Sequence, residues 1–128
     1  LFPFPVYAID YVSDEKQMAR LYNAVDAYVT PSLEDNLPNT IVEALSCGVP
    51  CVGFNVGGIP EMIDHRKNGY LAEARNAEDL AEGIRFILET ASREELSAHA
   101  VHSALANYGE TNVASKYIAV YKRASEKR

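Results

Sequence analysis

The run Cys51-Val52-Gly53-Phe54 has no polar position and is fenced on both sides by chain-turning residues. Gly48 and Pro50 stand before it, and Gly57 and Gly58 after it. A strand with one face in solvent alternates apolar and polar residues. A strand with no polar position belongs in the middle of a parallel sheet covered on both faces. Parallel neighbours cannot be joined by a tight hairpin and need a crossover, usually a helix. This one segment therefore asks for helices on either side of it.

The flanking sequence supplies them. Residues 6–10 (Val-Tyr-Ala-Ile-Asp) read as a first short strand. Ser13 then starts a helix, with Asp14 and Glu15 in the first turn, where acids complement the helix dipole. Met18, Leu21, Tyr22 and Val25 mark its apolar face at helical spacing. Residues 27–30 read as a second strand, closed by Pro31. A helix beginning at Pro38 or Asn39 runs to about Cys47, where Gly48 stops it and Pro50 follows. After the central strand, Pro60 suits the first turn of a short helix over 61–64. Lys67-Asn68-Gly69 turns the chain into a last strand, 70–72. Asn76 caps a helix whose face is Leu80, Ile84, Ile87 and Leu88. Ser92 with Glu95 forms a capping box for the next helix. The last helix carries Val113, Tyr117, Val120 and Tyr121 on one stripe. Strands alternating with helices predict an α/β domain with a parallel sheet. Right-handed crossovers then gather the strand-end turns on one edge.

Composition limits what such a domain does. The chain has 128 residues, enough for one core. Its net charge of −6 and pI near 5.0 argue against a nucleic-acid surface, which needs clustered Lys and Arg. No run of about 18 apolar residues exists, so no transmembrane helix is expected. The apolar start, residues 1–9, lacks a basic segment before it and a cleavage site, and is not read as a signal peptide. The chain opens on Leu1 in a strand-like run, as a piece of something longer would. Cys47 and Cys51 are too few for a disulfide framework or a zinc site. They read as buried free thiols, which suits a reducing cytoplasm. His99 and His102 share a helix with no further ligand in sight. His65 stands in a polar turn and reads as solvated. Tyr108, Tyr117 and Tyr121 read as packing residues.

The site candidate is the segment 31–43. A helix N-terminus presents unpaired backbone N–H groups and a partial positive charge, and so receives anions such as phosphate. Pro38 and Asn39 stand at such an end. Asp35 precedes it, and Glu43 lies in its second turn. A carboxylate accepts hydrogen bonds from paired sugar hydroxyls. Two acids flanking an anion-receiving helix end suit a sugar joined to a phosphate. The plainer alternative makes Asp35 a helix cap and Glu43 a solvated helix residue. Against it, Glu43 sits among Ile41, Val42, Ala44 and Leu45, and an acid in an apolar helix usually has a partner or a ligand.

The run PSLEDNLPNTIVEALSCGVPCVGFNVGGIPE (31–61) resembles the donor-binding half of GT-B glycosyltransferases, in particular the retaining group called family 4. The segments 11–32 and 68–89 are similar to that family's stretches on either side. The resemblance implies a Rossmann-like parallel sheet flanked by helices, part of the C-terminal domain of a GT-B fold. It implies that Glu43 binds the ribose hydroxyls of a nucleotide sugar. Asp35, Asn36, Leu37 and Pro38 then meet the transferred sugar, and Asn39 and Thr40 lie near the diphosphate. Glu34, Gly57 and Gly58 would line the same cleft. The family's acidic motif is Glu, seven residues, Glu. This chain has Asp35 at the first position, and the adjacent Glu34 gives a spacing one residue too long. Donor sugar preference is therefore open.

The resemblance further implies a sugar transfer from a nucleoside-diphosphate sugar, with neither metal nor cofactor. The family's basic diphosphate-holding residues lie before Val6, and its acceptor side lies in an N-terminal domain, the partner this chain would meet across the cleft. The chain alone is thus expected to be inactive and to self-associate through the surface near residues 1–6. A non-catalytic nucleotide-sugar-binding or assembly module, or a sugar-nucleotide epimerase of the same fold, are the alternative readings.

Overall fold

The computed structural model describes residues 2–126. Leu1, part of the expected association surface, lies outside them. The elements run α1 (Glu15–Asn23), β1 (Tyr28–Thr30), α2 (Asn39–Ser46), β2 (Cys51–Phe54), β3 (Gly69–Ala72), α3 (Ala77–Arg85), α4 (Arg93–Tyr108) and α5 (Glu110–Glu126). The three strands form one parallel sheet in the order β1-β2-β3. The central position of β2 and the burial of all four of its residues are as its composition requires.

Side chains on the sheet alternate between two apolar layers, as strand geometry demands. Tyr28, Cys51 and Leu71 face a core that holds Tyr22, Ile41, Leu45, Met62, Ile63, Ala100 and Ala104, from α1, α2, α4 and the loop before β3. Val29, Val52, Phe54, Tyr70 and Ala72 face the second core, with Leu80, Ile84, Phe86, Ile87 and Leu96. Helices cover both faces, and the α/β expectation holds.

Asn68 ties the layers together. It is wholly buried; its amide donates to the Met62 carbonyl at 3.2 Å and to the Ser103 hydroxyl at 3.1 Å, and its carbonyl oxygen accepts from Asp64 N–H at 2.8 Å. The turn into β3 is thereby fastened to α4. The helix starts are chemically sound. Asp14, not Ser13, caps α1, accepting from the N–H groups of Lys16 and Gln17. Asn76 caps α3 through Asp79 N–H, and Ser92 caps α4 through Glu95 N–H.

Several expectations are corrected. Residues 6–10 form no strand: Val6 and Ile9 are 59% and 61% exposed, and among the described residues no neighbouring backbone pairs with the segment. A parallel strand exists only through its ladder, and β1 has its one partner in β2. Val25 falls beyond the end of α1 and is exposed. Residues 59–61 form a single 3-10 turn where a short helix over 61–64 was expected. Leu88 is exposed because Phe86–Thr90 form a wider π turn, closed by Ala91 N–H on the Phe86 carbonyl. The extra residue turns Leu88 outward, and Phe86 joins the core in its place. In α5, Tyr117, Val120 and Tyr121 are exposed, and the rings of the two tyrosines lie 6.5 Å apart. Tyr108 does pack on the first core. His65 is more than a solvated residue, since its Nδ1 accepts Leu71 N–H on the outer edge of β3.

Asp79 gives this fold a pH signature. Its carboxylate accepts Glu73 N–H at 2.6 Å and the Tyr70 hydroxyl at 2.8 Å, and these bonds, aided by nearby His65, hold its pKa below the ordinary value. The unfolded chain then takes up this proton at higher pH than the folded one. The stabilisation is complete above about pH 4 and is lost as pH falls through the folded pKa. Thermal melts of the Asp79→Asn variant should show a shallower loss of stability below about pH 4 than the wild type; superimposable acid limbs would disprove the linkage.

Candidate functional site

The parallel register places Thr30, the end of β1, beside Gly53 of β2. The loops that leave these strands, 31–38 and 55–58, therefore emerge side by side at the C-terminal edge of the sheet, where ligands bind in open α/β folds. They touch through backbone. Gly58 N–H donates to the Asp35 carbonyl at 3.1 Å. A Cβ on Gly57 would fall 1.9 Å from the Asp35 carbonyl oxygen, and one on Gly58 1.6 Å from that of Asn36. Gly57 also has φ of +53°, in the left-handed region that glycine enters without penalty. Gly57 and Gly58 thus lie behind the 35–37 loop and set its position. Sequence reading placed them on the cleft edge without this contact.

Beyond the loop, Pro38 is the N-cap of α2. It has no side-chain cap bond, and α2 has no acid in its first turn. The helix start is consequently open. Asp35 is not its cap, which removes half of the plainer reading of the two acids. Asp35 is half-buried, and Glu34, Asn36, Asn39 and Thr40 are exposed. Leu37 is exposed too, at 52%.

Glu43 lies four residues after Asn39, on the same side of α2 and about one turn, ~5.4 Å, further along. It is exposed to solvent but not without a partner. The Tyr22 hydroxyl of α1 donates to its Oε2 at 3.0 Å. The two helices form the walls of an open groove of about 450 Å³. Glu15, Met18, Ala19 and Tyr22 line one wall, Val42, Glu43, Ser46 and Cys47 the other, and Tyr11, Val12 and Ser13 close one end. Among the described residues no Lys or Arg lines it, and two carboxylates do. Burial and the adjacent Glu43 push the Tyr22 phenol well above the ordinary range, so it remains a donor. The same two causes raise the Cys47 thiol. Cys47 is half-buried where full burial was expected, whereas Cys51 is buried.

The structure thus forms two adjoining clusters along one side of α2. One is the loop of Asp35, Asn36, Leu37 and Pro38 leading into Asn39 and Thr40, with the glycines behind it. The other is the groove at Glu43. Sequence reading missed Tyr11, Val12, Ser13 and Tyr22. Its helical spacing marks Tyr22 only as part of an apolar face, although a buried tyrosine hydroxyl needs a partner.

Residues 6–103 match the family model described as glycosyl transferases group 1. The chain belongs to that family. It is 32% identical over 117 residues to the N,N'-diacetylbacillosaminyl-diphospho-undecaprenol alpha-1,3-N-acetylgalactosaminyltransferase of Campylobacter jejuni, covering 91% of this chain and 31% of that protein. It is 38% identical over 109 residues to a D-inositol 3-phosphate glycosyltransferase of Geodermatophilus obscurus, covering 85% of this chain and 24% of the relative. Among solved structures, sucrose-phosphate synthase from Thermosynechococcus elongatus superposes with a TM-score of 0.76 at 23% identity, over 88% of this chain and 29% of that one. HepE from Anabaena, solved with UDP, superposes with a TM-score of 0.74 at 24% identity, over 81% of this chain and 29% of HepE. These two likenesses show the fold, that of GT-B glycosyltransferases, as the sequence resemblance implied.

The glycine contact is open to test. In Gly58→Ala the new methyl meets a backbone carbonyl, which cannot swing away as a side chain would. We expect a stability loss of about 1–3 kcal/mol and displaced amide NMR signals for residues 35–37. Unmoved signals in that loop would show that the glycine does not set its position.

Proposed function

We propose that this chain binds the donor in a glycosyltransferase that moves a sugar from a nucleoside-diphosphate sugar to an acceptor with retention of configuration. The observation that carries this reading is the charge pattern along α2. Among the described residues the groove beside Glu43 is lined by two carboxylates and no cation, so it repels phosphate and suits a neutral nucleoside whose hydroxyls donate to Glu43. The open start of α2, one turn away, suits the diphosphate. A nucleoside diphosphate lying along the helix would meet both. HepE was solved with UDP and with UDP-glucose, which supports the same class of ligand here.

In this reading Glu43 holds the ribose hydroxyls, and Tyr11 and Val12 flank the base. Asn39 and Thr40 offer backbone N–H groups to the diphosphate. Asp35, Asn36, Leu37 and Pro38 meet the transferred sugar, with Glu34 at the rim and Gly57 and Gly58 seating the loop. Asp35 is one methylene shorter than the glutamate of the family pattern, so it reaches a different hydroxyl set or draws the sugar closer. The reading needs no metal: the remaining diphosphate charge falls to basic side chains that the resemblance places before Val6. The resemblance places those and the acceptor domain outside this chain, which spans 31% of the Campylobacter relative and 24% of the Geodermatophilus one.

Glu43→Gln in the full-length polypeptide should weaken donor binding by about 1–3 kcal/mol, because an amide replaces one acceptor oxygen with a donor. Isothermal titration across UDP-, GDP- and ADP-sugars reads it, and an unchanged affinity would remove the ribose role. The 128-residue chain alone should transfer nothing. A helix start contributes about 0.3–2 kcal/mol, against the roughly 8 kcal/mol of micromolar binding. A donor-hydrolysis assay and light scattering on the isolated chain check this, with self-association expected through its exposed apolar segments. Turnover by a monomeric chain would overturn both expectations. Full-length protein that binds a nucleotide sugar but neither transfers nor hydrolyses it would favour a non-catalytic module.

A further inference from the structure

Glu43 is a flexible side chain at the edge of an open groove, yet its carboxylate is held from one side. The Tyr22 ring is 6% exposed, packs in the first core and stacks edge-on against Tyr28 at 5.9 Å and 72°. A ring so enclosed has little rotamer freedom, and its hydroxyl is placed where the core dictates. That hydroxyl donates to Glu43 Oε2 at 3.0 Å. The other hydroxyl on the Glu43 wall is committed elsewhere, since Ser46 donates to the Val42 carbonyl at 2.7 Å. The ion pairs among the described residues, Glu82 with Arg85 and Asp26 with Arg93, leave Glu43 out. Tyr22 is therefore the group that orients it.

We propose that Tyr22 is a positioning residue that makes this site select a ribonucleotide over its 2′-deoxy counterpart, by holding one Glu43 oxygen so that the remaining lone pairs face a cis-diol. The inference rests on the reading of Glu43 as the ribose contact. A carboxylate has about four acceptor sites. Tyr22 occupies one and fixes the plane of the rest, so two neighbouring sugar hydroxyls are met without further ordering of the glutamate. A 2′-deoxyribose brings one donor where the held carboxylate presents acceptors for two. A site built for a substrate hydroxyl discriminates against the analogue that lacks it. Without the tyrosine hydroxyl, Glu43 is free to turn toward water, and the diol loses its advantage.

The test uses the full-length polypeptide and isothermal titration with UDP, GDP and ADP and their 2′-deoxy counterparts. The variants are Tyr22→Phe, Glu43→Gln and the double variant, with melting temperatures taken without nucleotide. The wild type should favour the ribose form by on the order of tenfold. Tyr22→Phe keeps the ring and its packing, so its melting temperature should not move. It should lose about fivefold in affinity for the ribose form and little for the deoxy form. The double variant should bind no more weakly than Glu43→Gln alone, because Tyr22 acts through Glu43. Equal weakening of both forms in Tyr22→Phe, together with a lower melting temperature, would show a purely structural tyrosine and overturn the proposal. If Glu43→Gln weakens binding and Tyr22→Phe does not, the ribose reading stands and the role of Tyr22 falls. If Glu43→Gln binds as the wild type does, the ribose reading itself fails, and this inference with it.

Discussion

Thr30 and Gly53 sit side by side in a parallel ladder, and the site depends on that adjacency. Parallel pairing sends both strands out of the sheet in the same direction at the same level. Their outgoing loops must then share one patch of surface, and here they share it at backbone contact. Gly58 N–H takes the Asp35 carbonyl, and the missing Cβ atoms of Gly57 and Gly58 leave room for the carbonyls of Asp35 and Asn36. The loop enters α2 at Pro38, whose extended backbone and absent cap leave the first turn open. Strand register thus decides where the 35–38 loop sits, and the loop decides what α2 presents. Burial of β2 on both faces holds the register, since a slip by one residue would exchange the two core layers.

The second organising constraint is electrostatic. An acid placed in an apolar helix must either be buried with a partner or reach solvent. Glu43 does the latter but remains tied to the core through Tyr22, whose ring lies within the layer that its hydroxyl leaves. The groove then carries Glu15 and Glu43 among apolar residues such as Met18 and Val42, and no cation among the described residues. Such a surface discriminates by charge before it discriminates by shape. In the proposed reading phosphate is turned away from the groove and toward the helix start, while hydroxyl donors are drawn in. In that reading, these two fields set the orientation of a nucleoside diphosphate along α2.

Elements whose reasons are local were legible in the sequence. The caps at Asn76 and Ser92, the helix stop at Gly48 and the buried strand 51–54 each rest on a few adjacent residues, and each is found where those residues put it. The candidate site was legible as positions, because strand-end loops and helix starts can be counted along the chain. What was not legible depends on partners distant in sequence. Residues 6–10 have strand composition, but a strand is made by its neighbour, and none stands beside them. The stripe on α5 has core composition and covers no core in this chain. Leu88 lost its place to a π turn that no periodic pattern announces.

The bond between Tyr22 and Glu43 lies between these cases. Its two halves were each visible as an unmet need. A tyrosine on the packed face of a helix asks for an acceptor, and a glutamate among Ile41, Val42, Ala44 and Leu45 asks for a donor or a ligand. The residues lie 21 apart, on two helices separated by one strand. Both helices pack on the same core layer, and that shared layer brings the two needs together. The match also limits what it explains. A donor from Tyr22 satisfies one oxygen of Glu43, but it leaves the carboxylate exposed, with no Lys or Arg among the described residues lining the groove. A purely structural hydrogen bond would be served equally well by a neutral glutamine, whose carbonyl accepts the same hydroxyl without bringing a charge to the rim. In the proposed reading that charge serves a sugar, whose hydroxyls bring more donors to the groove than Tyr22 alone.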